Sequence, residues 1–367
     1  MLEIETIDEI CTLAKVGFTD WKRYGDVATK TNGDLMIFNY TAAAQFAGRW
    51  NFFERVSRGL IIDRATGAVA ARPFDKFFNW GEGGRTSTAK IKSVTEKWDG
   101  SLGILYWQDD LPKIATRGSF TSDQALWATE WIAPYADILR SCTKNVCTLL
   151  FEIVYPENRV VVDYEGWSGL VLLAGRYLET GKYVGEHVGG YMDTINSYCQ
   201  FIRPSTWLFS DVNHIKEFLP TLTSNREGFV VEFEDGERFK FKGDAYLALH
   251  KLISGLSFKH TLEAVARGEE DTVKAQVPDE FIGQFNGWLD EIYTTRERIE
   301  YEVEVAYMMA PKDSRKDYAL WVSANQPDLS RYLFARLDGH DIRPIIYRKA
   351  FENRTDETAV KQTEATA

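Results

Sequence analysis

The sequence is poor in cysteine and has no long apolar run, and these two absences exclude several classes of protein. Its 367 residues include four cysteines, none in a C-x-x-C pair: Cys11, Cys142, Cys147 and Cys199. No histidine lies near Cys142 or Cys147, so reduced core thiols explain them better than a zinc site. No stretch approaches the roughly 20 apolar residues of a membrane span. The start, "MLEIETIDEICTLAK", is acidic and unlike a signal peptide. We therefore expect a soluble, cytoplasmic protein without a membrane partner.

The chain also lacks an excess of positive charge. It has 43 lysines and arginines against 54 aspartates and glutamates, which gives a formal net charge of −11. This balance argues against a protein that coats nucleic acid through bulk charge. A confined basic groove that contacts a few phosphates, with salt-sensitive binding, is still compatible with it.

The hydrophobic pattern divides the chain into a strand-rich part and a helical part. Between about residues 50 and 245, short apolar runs between turn residues predict mostly β-strands, and "SDQALWATEWIAPYADILR" predicts one helix. Beyond Gly243 the apolar residues recur at helical spacing. We expect an α+β fold, with antiparallel sheets and flanking helices over residues 1–245, a small all-α domain over 246–352 and a disordered tail over 353–367.

The segment "REGFVVEFEDGERFKFKG" predicts a β-hairpin around Asp235-Gly236. A two-residue turn pairs Phe229 with Lys242. Because side chains alternate between the faces of a strand, Lys240 and Lys242 share one face, and Glu227 falls on it too. The hairpin therefore predicts one acid and two lysines on one surface. For the hairpin alone, ordinary solvated charges explain the pattern equally well.

Two more charged positions belong to apolar strands. Glu152 is the lone acid in "TLLFEIVYP", and Lys97 opens "KWDGSLGILYW", where Asp99 and Gly100 follow it. Such groups need a partner or a ligand, and a structural salt bridge is the simpler interpretation for Glu152. A lysine that loses its proton is a covalent nucleophile. Asp99 could orient that amine or hold a metal-bound water, and Gly100 could let the backbone approach a ligand closely.

These parts together predict nucleotidyl transfer through a lysyl–nucleotide bond. Magnesium would be held by one or two carboxylates, phosphates and waters. Lys90 and Lys92 in "TAKIKSV" are rival nucleophiles, but neither precedes an Asp-Gly pair. We prefer Lys97 for that reason, although K-x-D-G alone often occurs by chance.

An ordered set of motifs resembles the covalent nucleotidyltransferase superfamily of polynucleotide ligases and mRNA capping enzymes. "EKWDGSL" resembles motif I, "LLFEIVYP" motif III, "REGFVV" motif IV and "FKFK" motif V. Upstream, "SRGLIID" and "RPFDKFFNWGE" resemble elements of the bacteriophage-type RNA ligase 1 family. The resemblance covers roughly residues 50–245; each motif is weak alone, whereas the ordered set is strong. It implies an ATP-dependent RNA ligase with a nucleotidyltransferase (ATP-grasp-like) domain.

The resemblance also implies a reaction and the residues that perform it. Lys97 would take AMP from ATP, with Mg²⁺ or Mn²⁺ present. AMP would pass to an RNA 5′-phosphate, which a 3′-hydroxyl would then attack. By position, the resemblance implies phosphate contacts by Arg58 and Lys76, nucleotide binding by Arg117, and a nucleotide pocket at Phe78 and Gly100. It implies that Glu152 binds the ribose, that Glu227 supports the adenine pocket or the hydrated metal, and that Lys240 and Lys242 hold the α-phosphate. Asp99 and Glu227 would bind the metal through water. Arg117 stands where the family often has lysine, which keeps the charge but not the point geometry.

Several alternatives stay open on these residues. A DNA ligase or a capping guanylyltransferase shares the core motifs, but both usually continue into a β-barrel, whereas this chain turns helical. A non-catalytic RNA-end-binding protein would have lost the nucleophile or the motif V lysines, and this chain keeps them. The leading interpretation is a monomeric enzyme that joins RNA ends in RNA repair, with a nicked tRNA loop as a substrate by analogy.

Overall fold

A computed structural model describes residues 3–185, 191–253, 255–275, 277 and 281–351. The chain forms two compact units, residues 1–253 and 254–367, which we describe separately. The predicted tail over residues 353–367 lies outside the described residues. No helix in the described ranges is both long and apolar enough to cross a membrane.

The strands of the first unit form three four-stranded sheets within the described residues. The first sheet has the order β1-β2-β3-β4, with β1 Val27–Asn32, β2 Leu35–Tyr40, β3 Arg58–Asp63 and β4 Ala68–Ala71. The second has the order β5-β12-β11-β6, with β5 Phe78–Asn79, β6 Ile91–Lys97, β11 Gly228–Phe233 and β12 Arg238–Lys242. The third has the order β10-β9-β7-β8, with β7 Ser101–Gln108, β8 Leu111–Ala115, β9 Cys147–Val154 and β10 Gly169–Tyr177. Neighbouring strands are antiparallel except for the short β5–β12 pair, so the predicted antiparallel α+β architecture is confirmed.

Helices flank these sheets and make up the described part of the second unit. In the first unit they are α1 Ile7–Lys15, α2 Ala42–Ala47, α3 Phe52–Val56, α4 Asp123–Ile132, α5 Ala136–Thr143, α6 Tyr191–Cys199, α7 Val212–Phe218 and α8 Asp244–Ile253. In the second they are α9 Phe258–Arg267, α10 Glu270–Lys274, α11 Ile282–Met309, α12 Arg315–Asn325, α13 Ser330–Leu337 and α14 Arg343–Lys349. Short 3₁₀ turns occur at Trp21–Arg23, Glu82–Gly84, Ala133–Tyr135, Pro156–Asn158, Leu219–Thr221 and Pro327–Leu329.

Two boundaries differ from the sequence expectations. The single helix predicted before residue 141 is two helices, α4 and α5, separated by the turn Ala133–Tyr135. Pro134 lies in that turn and has no backbone N–H to continue the helical hydrogen bonds. The predicted boundary after residue 245 falls inside α8. This helix stays with the first unit because Tyr246 is buried against Val161 and Val162.

The hydrophobic cores follow from the strand and helix patterns. In the second sheet, Phe229, Val231, Phe239 and Phe241 face one side and are buried together. The opposite side of the same strands carries the polar and charged residues, as the alternation of a strand requires. In the second unit, α11 contributes Ile299, Val303 and Ala306 to a helical core. The sheet therefore places a polar surface on a firm apolar layer, and this surface forms the site described next.

Candidate active site

A cavity of about 520 Å³ in the first unit is lined by residues from all three sheets. The second sheet contributes rows of side chains that its register fixes. Lys97 of β6, Gly228 of β11 and Lys242 of β12 stand side by side in one row. The next row contains Thr95, Val230 and Lys240. Of these residues, all but Gly228 line the cavity, so the predicted nucleophile and both motif V lysines share one surface.

Glu227 lies between the two lysines of the first row. Its Oε2 accepts a hydrogen bond from Lys97 Nζ at 2.6 Å, and its Oε1 forms an ion pair with Lys242 Nζ at 2.9 Å. Gly228 has no side chain, which leaves space between the two ammonium groups for the carboxylate. A Cβ atom on Gly228, whose φ is 139°, would collide with the carbonyl oxygen of Phe241. This position therefore requires glycine, both because its φ is positive and because a Cβ atom has no space.

The hairpin that carries these residues has a different register from the predicted one. Phe229 pairs with Phe241, and Gly228 pairs with Lys242. The predicted pairing of Phe229 with Lys242 is therefore wrong by one residue. The loop between the strands has three residues, Glu234 to Gly236, and is closed by a hydrogen bond from Phe233 N to Glu237 O at 2.9 Å. Glu227 still reaches the lysines because it precedes the strand, next to the unusual backbone of Gly228.

Charge and burial set the protonation of the two carboxylates at the site. Glu227 is 3% exposed, and burial alone would raise its pKa. The positive charges of Lys97 and Lys242 outweigh burial and hold the pKa of Glu227 below its ordinary value. Glu152 of β9 lines the cavity, and burial raises its pKa to about 7. Lys97 opposes that rise, while the charges of Glu227 and Asp99 add to it.

Gly100 supports Glu152 and the packing of β9. The Gly100 N–H donates a hydrogen bond to Glu152 Oε1 at 3.1 Å. A side chain at Gly100 would collide with the carbonyl oxygen of Ile153 on β9. Gly100 does line the cavity, but the close approach that demands glycine is to protein backbone, whereas we expected an approach to a ligand.

Asp99 is the clearest departure from the expected site. It does not line the 520 Å³ cavity, and no hydrogen bond or ion pair joins it to Lys97 in the described part of the chain. Its Oδ2 accepts hydrogen bonds from the N–H groups of Val161 and Val162 at 2.8 and 2.9 Å. Its Oδ1 accepts one from the Tyr246 hydroxyl at 2.9 Å. Through these hydrogen bonds, Asp99 links the start of β7 to the segment at residues 161–162 and to α8.

The predicted nucleotide-binding residues divide into two groups. Arg58 and Arg117 line the cavity together with Lys240. Arg58 Cζ and Lys240 Nζ lie 5.6 and 5.5 Å from the ring centre of Phe77. Arg117 Nη1 donates a hydrogen bond to the Tyr40 hydroxyl at 2.9 Å. Three of the expected cations therefore line the cavity, and two of them lie beside Phe77.

Lys76 and Phe78 lie elsewhere and do not line the cavity. Lys76 is 2% exposed, and its Nζ lies 5.1 to 5.7 Å from the ring centres of Tyr40, Trp50 and Phe78. The expectation that Lys76 contacts phosphate and that Phe78 lines the pocket thus has no support in this geometry. Side chains of adjacent residues in an extended segment point to opposite sides, so Phe77 lines the cavity while Phe78 is buried.

Several cavity residues were not identified from the sequence. Phe74, Phe77, Arg238 and Glu232 line the cavity, as does Trp98, to which we had assigned no role. Trp98 stacks on Tyr164 with ring centres 4.7 Å apart. The period-two alternation of β12, counted back from Lys242 and Lys240, was a sufficient signal for Arg238.

Comparison with known proteins agrees with the motif set. Residues 56–246 match the family described as RNA ligase. A putative bifunctional polynucleotide kinase/RNA ligase of Autographa californica nuclear polyhedrosis virus is 30% identical over 275 residues, which cover 68% of this chain and 38% of that protein. An RNA ligase of Rhodothermus phage RM378 is 24% identical over 398 residues, covering 86% of this chain and 87% of that one.

Among solved structures, a Naegleria gruberi RNA ligase variant with ATP and Mn is similar with a TM-score of 0.35 and 18% identity, covering 44% of this chain and 52% of that one. This chain thus spans well under two thirds of the viral relative and about half of the solved one. The match over residues 56–246 takes in more than half of the 367 residues and contains every motif from "SRGLIID" to "FKFK". The chain therefore belongs to the RNA ligase family.

Proposed function

We propose that this chain is an ATP-dependent RNA ligase that joins a 5′-phosphate to a 3′-hydroxyl through lysyl-AMP and RNA-adenylate intermediates. The observation that carries the proposal is the arrangement of Lys97 and Lys242 on the single carboxylate of Glu227, in a cavity of about 520 Å³. A nucleophilic amine needs neighbouring cations for the phosphate it attacks. Lys242, Lys240, Arg58 and Arg117, which line the same cavity, supply them.

In the first step, Lys97 Nζ attacks the α-phosphorus of ATP. An N–P bond forms, and the bond to the oxygen of pyrophosphate breaks. Lys97 must first lose a proton, and Glu227 Oε2 lies 2.6 Å from its Nζ. If Lys242 turns to the α-phosphate, one of the two charges that lower the pKa of Glu227 is removed, and Glu227 becomes a better proton acceptor.

Two further transfers complete the reaction. An oxygen of the RNA 5′-phosphate attacks the phosphorus of lysyl-AMP, and the N–P bond breaks as Lys97 Nζ takes back the proton that Glu227 accepted in the first step. The 3′-hydroxyl oxygen then attacks the RNA phosphorus, loses its proton to solvent and releases AMP. In this scheme Glu152, which lines the same cavity and accepts a hydrogen bond from Gly100 N, holds the ribose. Because of the family resemblance, the proposal includes a role in RNA repair, with a nicked tRNA loop as the substrate. The cytoplasmic location and the monomeric state stay predictions.

Magnesium or manganese would accompany the phosphates of ATP and offset their charge. The predicted carboxylate pair does not fit direct coordination. Both oxygens of Glu227 face lysines, and Asp99 accepts three hydrogen bonds from protein groups. Within the described residues no group of three or more His, Cys, Asp or Glu is arranged to hold a metal ion. Binding through water, with the phosphates as the main ligands, is the form that we propose.

The test is transfer of label from α-labelled ATP to the denatured chain in the presence of magnesium, after prior treatment with pyrophosphate to remove any bound AMP. We expect label on the native chain and none on Lys97→Ala. Lys92→Ala is the matched control, because Lys92 lies on the same strand but outside the cavity. Loss of label in Lys92→Ala alone would move the nucleophile to that rival lysine. Absence of label with ATP would refute the proposal, and label from GTP instead would favour a capping enzyme.

A further inference from the structure

The cavity also contains an ion pair that the reaction scheme does not use. The third row of the second sheet contains Ser93, Glu232 and Arg238, one step beyond the row of Val230. All three side chains line the cavity. Arg238 Nη2 donates a hydrogen bond to Glu232 Oε2 at 2.8 Å. Strands rise about 3.3 Å per residue, so this row lies roughly 13 Å along the sheet from Lys97.

The pair is held in place by its surroundings. Arg238 Cζ lies 3.6 Å from the ring centre of Tyr183 and 5.3 Å from that of Phe74. Lys92 Nζ donates to Glu232 Oε1 at 2.7 Å from outside the cavity. The side chains of Glu232 and Arg238 are only 14% and 12% exposed. Such a fixed pair suits recognition better than a flexible surface ion pair does.

Each member of the pair keeps hydrogen-bonding capacity for a ligand. Arg238 Nη1 is buried and has no hydrogen-bond partner among the described residues. A carboxylate has about four acceptor sites, and two protein donors leave room on Glu232 for another. An acceptor and a donor thus stand side by side, and an unmatched buried N–H is costly unless a ligand atom meets it.

The carboxylate decides which part of a nucleotide fits here. A phosphate would be repelled by Glu232, whereas Arg58 and Arg117 line the cavity and form no ion pair with a carboxylate in the described part of the chain. A neutral edge with one donor and one acceptor matches the pair. Between the two ends, Val230 faces the cavity, as does Leu173, the residue at the bulge of β10. These two apolar side chains suit the flat faces of a base.

We infer that Glu232 and Arg238 read the hydrogen-bonding edge of adenine, Glu232 by accepting from the 6-amino group and Arg238 by donating to N1. The inference rests on the proposed function, because it assumes that the α-phosphate lies at Lys97. The span from Lys97 to the third row is comparable to an extended nucleoside monophosphate. Glu232 and Arg238 are specificity-determining residues in this arrangement, and they do not take part in the chemical steps.

The test compares self-labelling rates, as kcat/KM, for ATP and for two analogues that carry the same α-label. Purine riboside triphosphate lacks the 6-amino group, and 1-deaza-ATP lacks the N1 acceptor. In the native chain we expect each analogue to be about ten- to a hundredfold worse than ATP, the range for a hydrogen bond to a charged group. In Glu232→Ala the penalty for purine riboside triphosphate should fall to within about threefold, and in Arg238→Met the same should hold for 1-deaza-ATP.

Lys90→Ala is the matched control, because Lys90 is an exposed lysine just before β6 that does not line the cavity and has no ion pair with Glu232 within the described residues. This control variant should discriminate against both analogues as strongly as the native chain does. The two variants are made and assayed separately, so one remains informative if the other does not fold. Undiminished penalties in the folded variants would overturn the inference while labelling by ATP still upheld the proposed function. A native chain that takes no label from ATP would refute both.

Discussion

Replacing Glu227 by glutamine would leave two ammonium groups close together without a counter-charge. Glu227 is 3% exposed, and it contacts Lys97 Nζ at 2.6 Å and Lys242 Nζ at 2.9 Å. Breaking a buried ion pair by removing one partner costs about 3–5 kcal/mol. We expect Glu227→Gln to lower the free energy of unfolding by about 3 kcal/mol at pH 7, the lower end of that range, because the Lys97 side chain is 20% exposed.

The dependence on pH gives this prediction a second part. The pKa of Glu227 is lower in the folded protein than its ordinary value. Its contribution is therefore complete above the unfolded carboxyl pKa of about 4.3 and is lost as pH falls through the folded pKa. The difference between native chain and Glu227→Gln should persist from pH 8 to pH 5 and shrink in stronger acid.

Urea unfolding at several pH values measures these differences. Glu96→Gln is the matched control, because Glu96 forms a looser pair with Arg226 at 3.8 Å and should change stability by about 1 kcal/mol at most. In a double-mutant cycle with Lys97→Met, the two losses should not add. A Glu227→Gln variant as stable as the native chain at pH 7 would refute the reasoning that this carboxylate offsets two buried ammonium charges.

Three further predictions concern neighbouring positions. Because burial raises the pKa of Glu152 to about 7, above the unfolded value of about 4.3, the native chain should lose stability as pH rises from the unfolded value through 7, whereas Glu152→Gln should not; the difference, at most about 3 kcal/mol, is measured by urea unfolding at pH 5 and pH 8. Gly228→Ala should lower the melting temperature and the yield of lysyl-AMP together, since a Cβ meets Phe241 O and φ is 139°; a stable, fully active variant would contradict that geometry. Asp99→Asn should cost about 1–3 kcal/mol of stability through its lost backbone and Tyr246 contacts; a stable variant with no labelling would instead restore the chemical role that the sequence predicted.

The hairpin shows how far the sequence alone determines a site. Alternation in "FKFK" correctly separates Lys240 and Lys242 from the core residues Phe239 and Phe241. The turn length was not determined, because Asp-Gly also fits a three-residue loop, in which Gly236 takes a φ of 86°. The position of Glu227 depends on the backbone of Gly228, which no strand pattern encodes.

The remaining differences arise where a local motif cannot specify tertiary contacts. Lys76 and Phe78 matched a family element, yet Lys76 is buried among Tyr40, Trp50 and Phe78. Tyr40 belongs to β2, and Trp50 lies before α3, whereas the individual strands that we predicted begin only at about residue 50. Asp99 also matched a motif without taking the expected role. Its three hydrogen-bond donors are far away in the sequence, so its position two residues after Lys97 did not indicate its partners.

The distribution of charge explains how an acidic chain can select a small polyanion. The chain has a formal net charge of −11, but six lysines and arginines line the cavity against three glutamates: Arg58, Lys97, Arg117, Arg238, Lys240 and Lys242, and Glu96, Glu152 and Glu232. At physiological ionic strength, charges more than about 8 Å apart are largely screened. A triphosphate inside the cavity therefore interacts with the local cations, whereas a long nucleic acid outside it meets the rest of the chain, which has 37 lysines and arginines (43 − 6) against 51 aspartates and glutamates (54 − 3). RNA binding should then depend on a few phosphates close to the bound adenylate, and its affinity should fall less steeply with salt than that of a protein that coats nucleic acid.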